Sequence, residues 1–365
     1  MFDTVGQFLS GIFGGRRSTL AVPILDGVFR PNNLLEEAEI LAEQAGMCDM
    51  AFGPDGRLAI ACGTEVLTLA ETGGLNKVAA FDAAITAFCF AKDGRRVAAL
   101  GNRIVIEGRD TPLTQAAGLP FVALTAVAPM ADGRILVCDA SSTHGCDAWR
   151  HDLMAKGASG RVIAIDPDSG QAQVLQVGLA WANGVHLAAD GSILVSESWR
   201  HRLRLAGKGD ATPELPGYPA RLTPTPDGGF WLALFSARMQ IVEFVLSERD
   251  FRREMMETID PAYWICPAYS SGHDFLEPLQ SGGVKQMGIL KPWAPPRSYG
   301  LAVRFDARRN PLMSIHSRVG GEHHGIVTVL ERGDDVFALS KGAGRLLRLK
   351  TARIRAENAI GGDRA

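Results

Sequence analysis

The sequence carries no surplus of positive charge: 38 Lys and Arg stand against 40 Asp and Glu, a formal net charge of -2. Coating a nucleic acid takes an excess of cations, so no nucleic-acid partner is expected. There is no C-x-x-C pair. The six cysteines, Cys48, Cys62, Cys89, Cys138, Cys146 and Cys266, are scattered through 365 residues, which argues against a zinc knuckle, a thioredoxin motif or a disulfide scaffold. They read as reduced thiols of a cytoplasmic protein. No run reaches the ~18 apolar residues that span a bilayer. No G-x-G-x-x-G, P-loop or H-E-x-x-H occurs, so nucleotide binding and zincin chemistry have no motif behind them. The opening MFDTVGQFLSGIFGG lacks a basic start and carries Asp3, unlike a secretory signal. Its Phe2, Val5, Leu9, Ile12 and Phe13 share one helical face. A docked or frayed helix over residues 1–20 is expected, with weak contact to a membrane surface as the sharper alternative.

What the chain has in quantity is glycine, 41 residues, and an apolar fraction of 46%. Together these imply many tight turns around a sizeable core. One pattern recurs, a polar Asp-Gly turn followed at once by an apolar strand. It appears as PDGRLAIACG from Pro54, KDGRRVAALG from Lys92, ADGRILVCDA from Ala131, ADGSILVSES from Ala189 and PDGGFWLALF from Pro226, with a degenerate copy, GDDVFALSKG, from Gly333. Asp-Gly tolerates the positive φ of a tight hairpin, and the strand after each turn suits burial on both faces. The steps Asp55 to Asp93, Asp93 to Asp132 and Asp190 to Asp227 are close to the ~40 residues of a four-stranded blade. The steps from Asp132 and from Asp227 are longer and hold insertions, about 141–159 and 238–297. The second opens with the helix-spaced FVLSERDFRREMMETI. The expected fold is therefore all-β: a six-bladed β-propeller over residues 21–353, with the partly helical second insertion between blades 5 and 6, and a flexible tail over 354–365.

In a propeller the innermost strands start at the channel mouth, so equivalent residues converge there. Counting back seven from each turn Asp gives Cys48, Thr86, Thr125, Asn183, Ala220, and Thr328 if Asp335 is the reference. One step later stand Asp49, Ala87, Ala126, Gly184, Arg221 and Val329. Polar residues at the start of apolar strands are costly unless satisfied or used. Cys48, Asp49, Asn183 and Arg221 are thus the ring candidates, with Thr125 beside them as a substrate contact. The plainer reading is that such Thr and Asn side chains only tie neighbouring blades together.

The segment RVIAIDPDSGQAQVLQVGLAWANGVHLAADGSILVSESWRHRLRL (161–205) resembles the strictosidine synthase-like family, and LPGYPARLTPTPDGGFWLAL (215–234) resembles its next segment. RSYGLAVRFDARRNPLMSIHS resembles its last blade. The resemblance implies kinship with gluconolactonases, senescence-marker-type lactonases, paraoxonases and the adipocyte plasma membrane-associated protein, and a six-bladed propeller. In the metal-dependent relatives it implies a channel Ca²⁺ held by a Glu, the Asn of ANGV and an Asp or Asp-Asn pair, which would polarise a carbonyl or activate water. Only Asn183 carries over. The Glu position falls on Cys48 and the pair on Ala220 and Arg221, a charge that belongs where the ion would be. Strictosidine synthase itself implies a catalytic Glu in the last blade, whose nearest equivalent here is Val327. Glu322, His323 and His324 lie just upstream as candidate acid/base groups, against the plain reading of an exposed polar loop. A zinc site from His316, His323 and His324 lacks a fourth ligand.

Other segments invite weighing. Ser270 to Asp274, SSGHD, holds triad letters, but triad members come from separate segments. Trp149, in the STHGCDAWRHD of the first insertion, and Trp199 are expected to shape a pocket. Tyr263, Trp264, Tyr269, Trp293 and Tyr299 form either an apolar roof over a ligand or the second insertion's own core. The leading functional expectation is a small-molecule hydrolase of an ester or lactone. Asn183 and Arg221 would polarise the carbonyl, and His323 or His324 would move the proton. An amine–aldehyde condensing lyase and a non-catalytic ligand- or partner-binding propeller are the alternatives.

Overall fold

The computed structural model describes residues 22–70, 74–212, 214–278, 285–286, 289–290 and 297–362. The expected N-terminal helix and Trp293 lie outside them. Six antiparallel sheets form a six-bladed β-propeller. Blade one is Met47–Phe52, Leu58–Cys62, Glu65–Leu69 and Leu75–Ala80, and blade two is Ala87–Phe90, Arg96–Ala99 and Ile104–Ile106. Blade three is Leu124–Pro129, Ile135–Asp139, Gly160–Ile165 and Ala172–Leu179. Blade four is Ala182–Leu187, Ile193–Glu197, Arg202–Leu205 and Gly209–Asp210. Blade five is Gly217–Pro224, Phe230–Ala237, Leu301–Phe305 and Pro311–His316. Blade six is Ile326–Arg332, Asp335–Ser340 and Arg345–Lys350, completed by Glu39–Glu43 from the other end of the chain. Each innermost strand packs on the next around the circle, and that of blade six returns to that of blade one.

The Asp-Gly turns work as their chemistry requires. Gly56, Gly94, Gly133, Gly191 and Gly228 hold φ between 75° and 94°. The preceding aspartates each accept from the N–H two residues on, at Arg57, Arg95, Arg134, Ser192 and Gly229. The strands that follow are buried on both faces, as LAIAC and ILVCD are throughout. Their side chains fill separate apolar clusters between neighbouring blades. One example joins Leu194 and Leu203 of blade four to Leu222, Phe230 and Leu232 of blade five.

Two expectations need correcting. The second insertion does not separate blades five and six. It lies inside blade five, because Leu301–Phe305 pairs in register with Phe230–Leu234. The segment resembling a last blade is thus the outer half of blade five. Over its described residues the tail expected to be flexible is helical, as part of the helix Thr351–Gly362. It is docked by buried Ile354 and by Asn358, whose amide bonds both the N–H and the carbonyl of Ser314.

Both insertions join the second and third strands of their blades. The first holds the short helix Trp149–Ala155, the second the helices Gln240–Ser247 and Arg249–Thr258. A second strand runs antiparallel to the innermost one and ends where the innermost begins. These connections therefore stand over the channel mouth.

Candidate functional site

The register of the innermost strands slips between Met47 and Asp49, Leu124 and Ala126, Ala182 and Gly184, and Ile326 and Thr328. The skipped residues are Cys48, Thr125, Asn183 and Val327. Such bulges re-aim a side chain, and here they turn the same position of blades one, three, four and six into the channel. With Thr86 and Ala220 these six residues line one cavity of about 80 Å³. The sixth ring residue is Val327 and not Thr328: Arg332 pairs with Asp335 across the tight turn Gly333–Asp334, with Gly333 at φ 59°, so the count runs from Asp334 and not from Asp335.

The ring residues repeat one hydrogen bond. Cys48 Sγ donates to the carbonyl of Ile85 at 3.0 Å, Thr86 Oγ1 to Leu124 at 2.6 Å, and Thr125 Oγ1 to Ala182 at 2.5 Å. Asn183 Nδ2 reaches Pro219 at 3.4 Å. Each donor ties its blade to the carbonyl just before the next ring residue. Ala220 and Val327 have no donor to offer, so the repeat stops in blades five and six. Gly184 completes the fit, since a Cβ there would collide with the carbonyl of Ala220.

Beneath the ring lies an ion pair. Arg221 Nε donates to Asp49 Oδ2 at 3.1 Å, across from blade five to blade one. Its terminal nitrogens donate to the carbonyls of Asn183, at 3.3 Å, and Thr86, at 2.7 Å. Asp49 also accepts from the N–H groups of Met50 and Phe88 and from Thr328 Oγ1. Burial works against the charge on Arg221, but Asp49 more than offsets this and raises its pKa. Burial pushes the Cys48 thiol up to about 12, so it stays protonated near neutrality.

These residues do not fit a calcium ion. Hard oxygen ligands with negative charge are needed. The ring instead offers a thiol, a methyl and one neutral amide. Asp49 already accepts four hydrogen bonds, and Arg221 brings a fixed positive charge. Among the described residues no three His, Cys, Asp or Glu side chains come together as metal ligands, which also leaves the zinc trio apart.

The cavity walls come from the connections above the ring. Cys146 and Trp149 belong to the first insertion and Tyr269 to the second. Lys341 follows the second strand of blade six, and Trp181 precedes the innermost strand of blade four. Lys341 is exposed, and its Nζ lies 4.8 Å from the centre of the Tyr269 ring. Trp181 holds φ of 58°, a costly left-handed conformation for a bulky residue. Trp199 stacks behind it, centroids 5.3 Å apart. Trp199 in turn donates Nε1–H to buried Asp152 at 2.8 Å, which also accepts from Ser141 and sits 3.3 Å from His144 Nδ1. Trp149 thus touches the cavity, whereas Trp199 supports its wall.

The expected acid/base groups are not among the lining residues. His323 is buried, with Nδ1 on the carbonyl of Leu35 at 2.7 Å and Nε2 on Arg345 at 3.1 Å. His324 is buried between Ser298 Oγ, at 2.8 Å, and the carbonyl of Arg318, at 3.0 Å, and burial lowers its pKa. Glu322 pairs with Arg345 at the surface. These imidazoles have both nitrogens committed and tie blade six to its neighbours. In SSGHD, Ser270 meets His273 at 2.6 Å, but Asp274 accepts from Tyr263 instead, so no triad forms. Of the expected aromatic roof, Tyr269 reaches the cavity. Trp264 is core, Nε1–H on the carbonyl of Ile259, and Tyr299 is buried against His316. A larger groove of about 510 Å³ on the second insertion is mainly apolar, and Glu254 is the one charged side chain among its described lining residues.

Sequence reasoning missed Trp181, Lys341 and the role of Cys146. Trp181 stands two residues before Asn183, a signal that was readable. Lys341 carries no pattern that marks it.

Residues 126–204 match the family described as strictosidine synthase. The adipocyte plasma membrane-associated protein of Salmo salar is 32% identical over 117 residues, 29% of this chain and 28% of that one. Strictosidine synthase-like protein 10 of Arabidopsis thaliana is 39% identical over 102 residues, 26% of this chain and 27% of that one. These matches span less than a third of either relative's length. A gluconolactonase structure from Xanthomonas campestris superposes with a TM-score of 0.54 at 14% identity, covering 85% of this chain and 88% of that one, a likeness of fold. Among the described residues no helix is long and apolar enough to cross a membrane.

Proposed function

We propose that this strictosidine synthase-like propeller is a metal-independent receptor for a small organic molecule, held at the mouth of its central channel. One observation carries the reading. All six ring positions line a single cavity, and where metal-dependent relatives are expected to hold an ion there is the Arg221–Asp49 pair. The walls add what small-molecule pockets use, apolar rings with a few convergent polar groups.

Ester or lactone hydrolysis is the second reading. The N–H groups of Arg221 and the amide of Asn183 suit a developing oxyanion. What the cavity lacks is a proton acceptor, since Cys48 is held protonated and the histidines are committed elsewhere. Amine–aldehyde condensation meets the same obstacle, with apolar Val327 at the position of the family's glutamate.

The test compares the wild-type chain with Ala220→Phe, which fills the cavity. Small aromatic solutes, benzamide and benzoate among them, are titrated against tryptophan fluorescence, since Trp149 and Trp181 line the site. Saturable binding lost in Ala220→Phe is expected, with no turnover of phenyl acetate or δ-valerolactone by either protein. Turnover that only the wild type shows would make the chain a hydrolase.

A further inference from the structure

We infer that the channel cavity selects an organic anion, a small carboxylate with a flat unsaturated body. The inference rests on the channel being the ligand site and adds the ligand's charge and shape.

Among the described residues the cavity lining contains two cations, Arg221 and Lys341, and no carboxylate. Arg221 is balanced by Asp49 below the ring. Lys341 has no such balance: among the described residues it forms no ion pair, and its close neighbour is the face of Tyr269. Three carboxylates around the channel are engaged by other donors. Asp49 takes four donors. Asp139 is held by Arg161 and the N–H groups of Val122 and Ala123. Asp152 is held by Trp199, Ser141 and His144. The mouth therefore presents one positive charge, on Lys341, that no described carboxylate pairs, beside apolar walls where a charge acts more strongly than in bulk water.

The donors agree with the charge. A guanidinium has five N–H groups. Arg221 spends one on Asp49 and one on each of two carbonyls. One N–H on each terminal nitrogen is left over, matching in number the two oxygens of a carboxylate. Asn183 makes only one long bond, from Nδ2, so its amide has capacity left.

The shape comes from the walls. Trp149, Trp181 and Tyr269 offer ring surfaces, and Trp181 is held in a strained conformation by the stack of Trp199. Ring faces favour a flat apolar body. The cavity of about 80 Å³ holds only the carboxylate end of such a molecule, and its flat body lies at the mouth against these rings. An inorganic phosphate would leave those walls unused.

The test uses three probes of one shape on the full chain: benzoate, neutral benzamide and cationic benzylamine, by calorimetry and tryptophan fluorescence. Benzoate is expected to bind about tenfold or more tightly than benzamide, and benzylamine not at all. Lys341→Gln, an exposed change that leaves folding alone, is expected to weaken benzoate by about tenfold and benzamide hardly at all. Equal binding of benzoate and benzamide, or indifference of benzoate to Lys341→Gln, overturns the anion assignment. If Ala220→Phe still abolishes that binding, the channel reading survives alone. Binding untouched by Ala220→Phe, or no binding of any probe, overturns both.

Discussion

At the scale of single residues, Asp49 and Arg221 decide what the channel can hold. Their side chains are 5% and 12% exposed, so each charge depends on the other. Removing one partner of a buried pair leaves a stranded charge and costs about 3–5 kcal/mol. Asp49→Ala is expected to destabilise the chain by that amount in urea unfolding. Arg221→Met should cost less, because Asp49 keeps three other donors. The double variant should lose at least ~1 kcal/mol less than the sum of the two single losses. Additive losses would mean that the pair does not act as a unit. The sequence allowed both residues to be placed at the hub, but not their partnership. Arg221 could be read as a charge in a metal's place, whereas its counter-ion, 172 positions away, is set only by the closing of the circle.

At the scale of strands and loops, repetition was legible and exception was not. Counting back from the Asp-Gly turns finds five ring residues correctly, since strand and turn lengths are the same in those blades. At blade six there is no Asp-Gly to count from: Arg332 pairs with Asp335 across a two-residue turn, and only Asp334 as the reference leads to Val327. The interior placement of the second insertion was hidden because Leu301–Phe305 follows it without an Asp-Gly signal. The histidines misled for a related reason: sequence puts them near a channel-facing strand, but burial and backbone partners decide their use. Those buried in strands carry a testable consequence. Burial lowers the pKa of His186, in the innermost strand of blade four, to about 4 and that of His316, in the outer strand of blade five, to about 3. In the unfolded chain both return to about 6.5. The unfolded state therefore binds more protons between these limits. Stability is full above pH ~6.5 and falls as the pH drops toward the folded values. At pH 5 the loss is about 2 kcal/mol per histidine. Melting at pH 7 and pH 5 should show a drop that His186→Leu makes smaller. An unchanged drop in that variant would refute the burial argument.

At the scale of the whole molecule, the six-bladed circle was readable from the sequence because each blade repeats one local instruction. Its closure was not readable. Glu39–Glu43 joins blade six through Arg345 and Arg348, whose ion pairs with Glu43 and Glu39 link the two ends of the chain. That closure brings Cys48 and Val327 side by side and completes a site drawn from every blade. The same circle that would assemble carboxylates around an ion here assembles a thiol, two hydroxyls, an amide, a methyl, an isopropyl group and a guanidinium. The most direct test is calorimetric titration of Ca²⁺ into chelator-treated wild-type protein and its Asn183→Ala variant. No saturable site in either protein is the expected result. A saturable Ca²⁺ site present in the wild type and lost in Asn183→Ala would contradict the account.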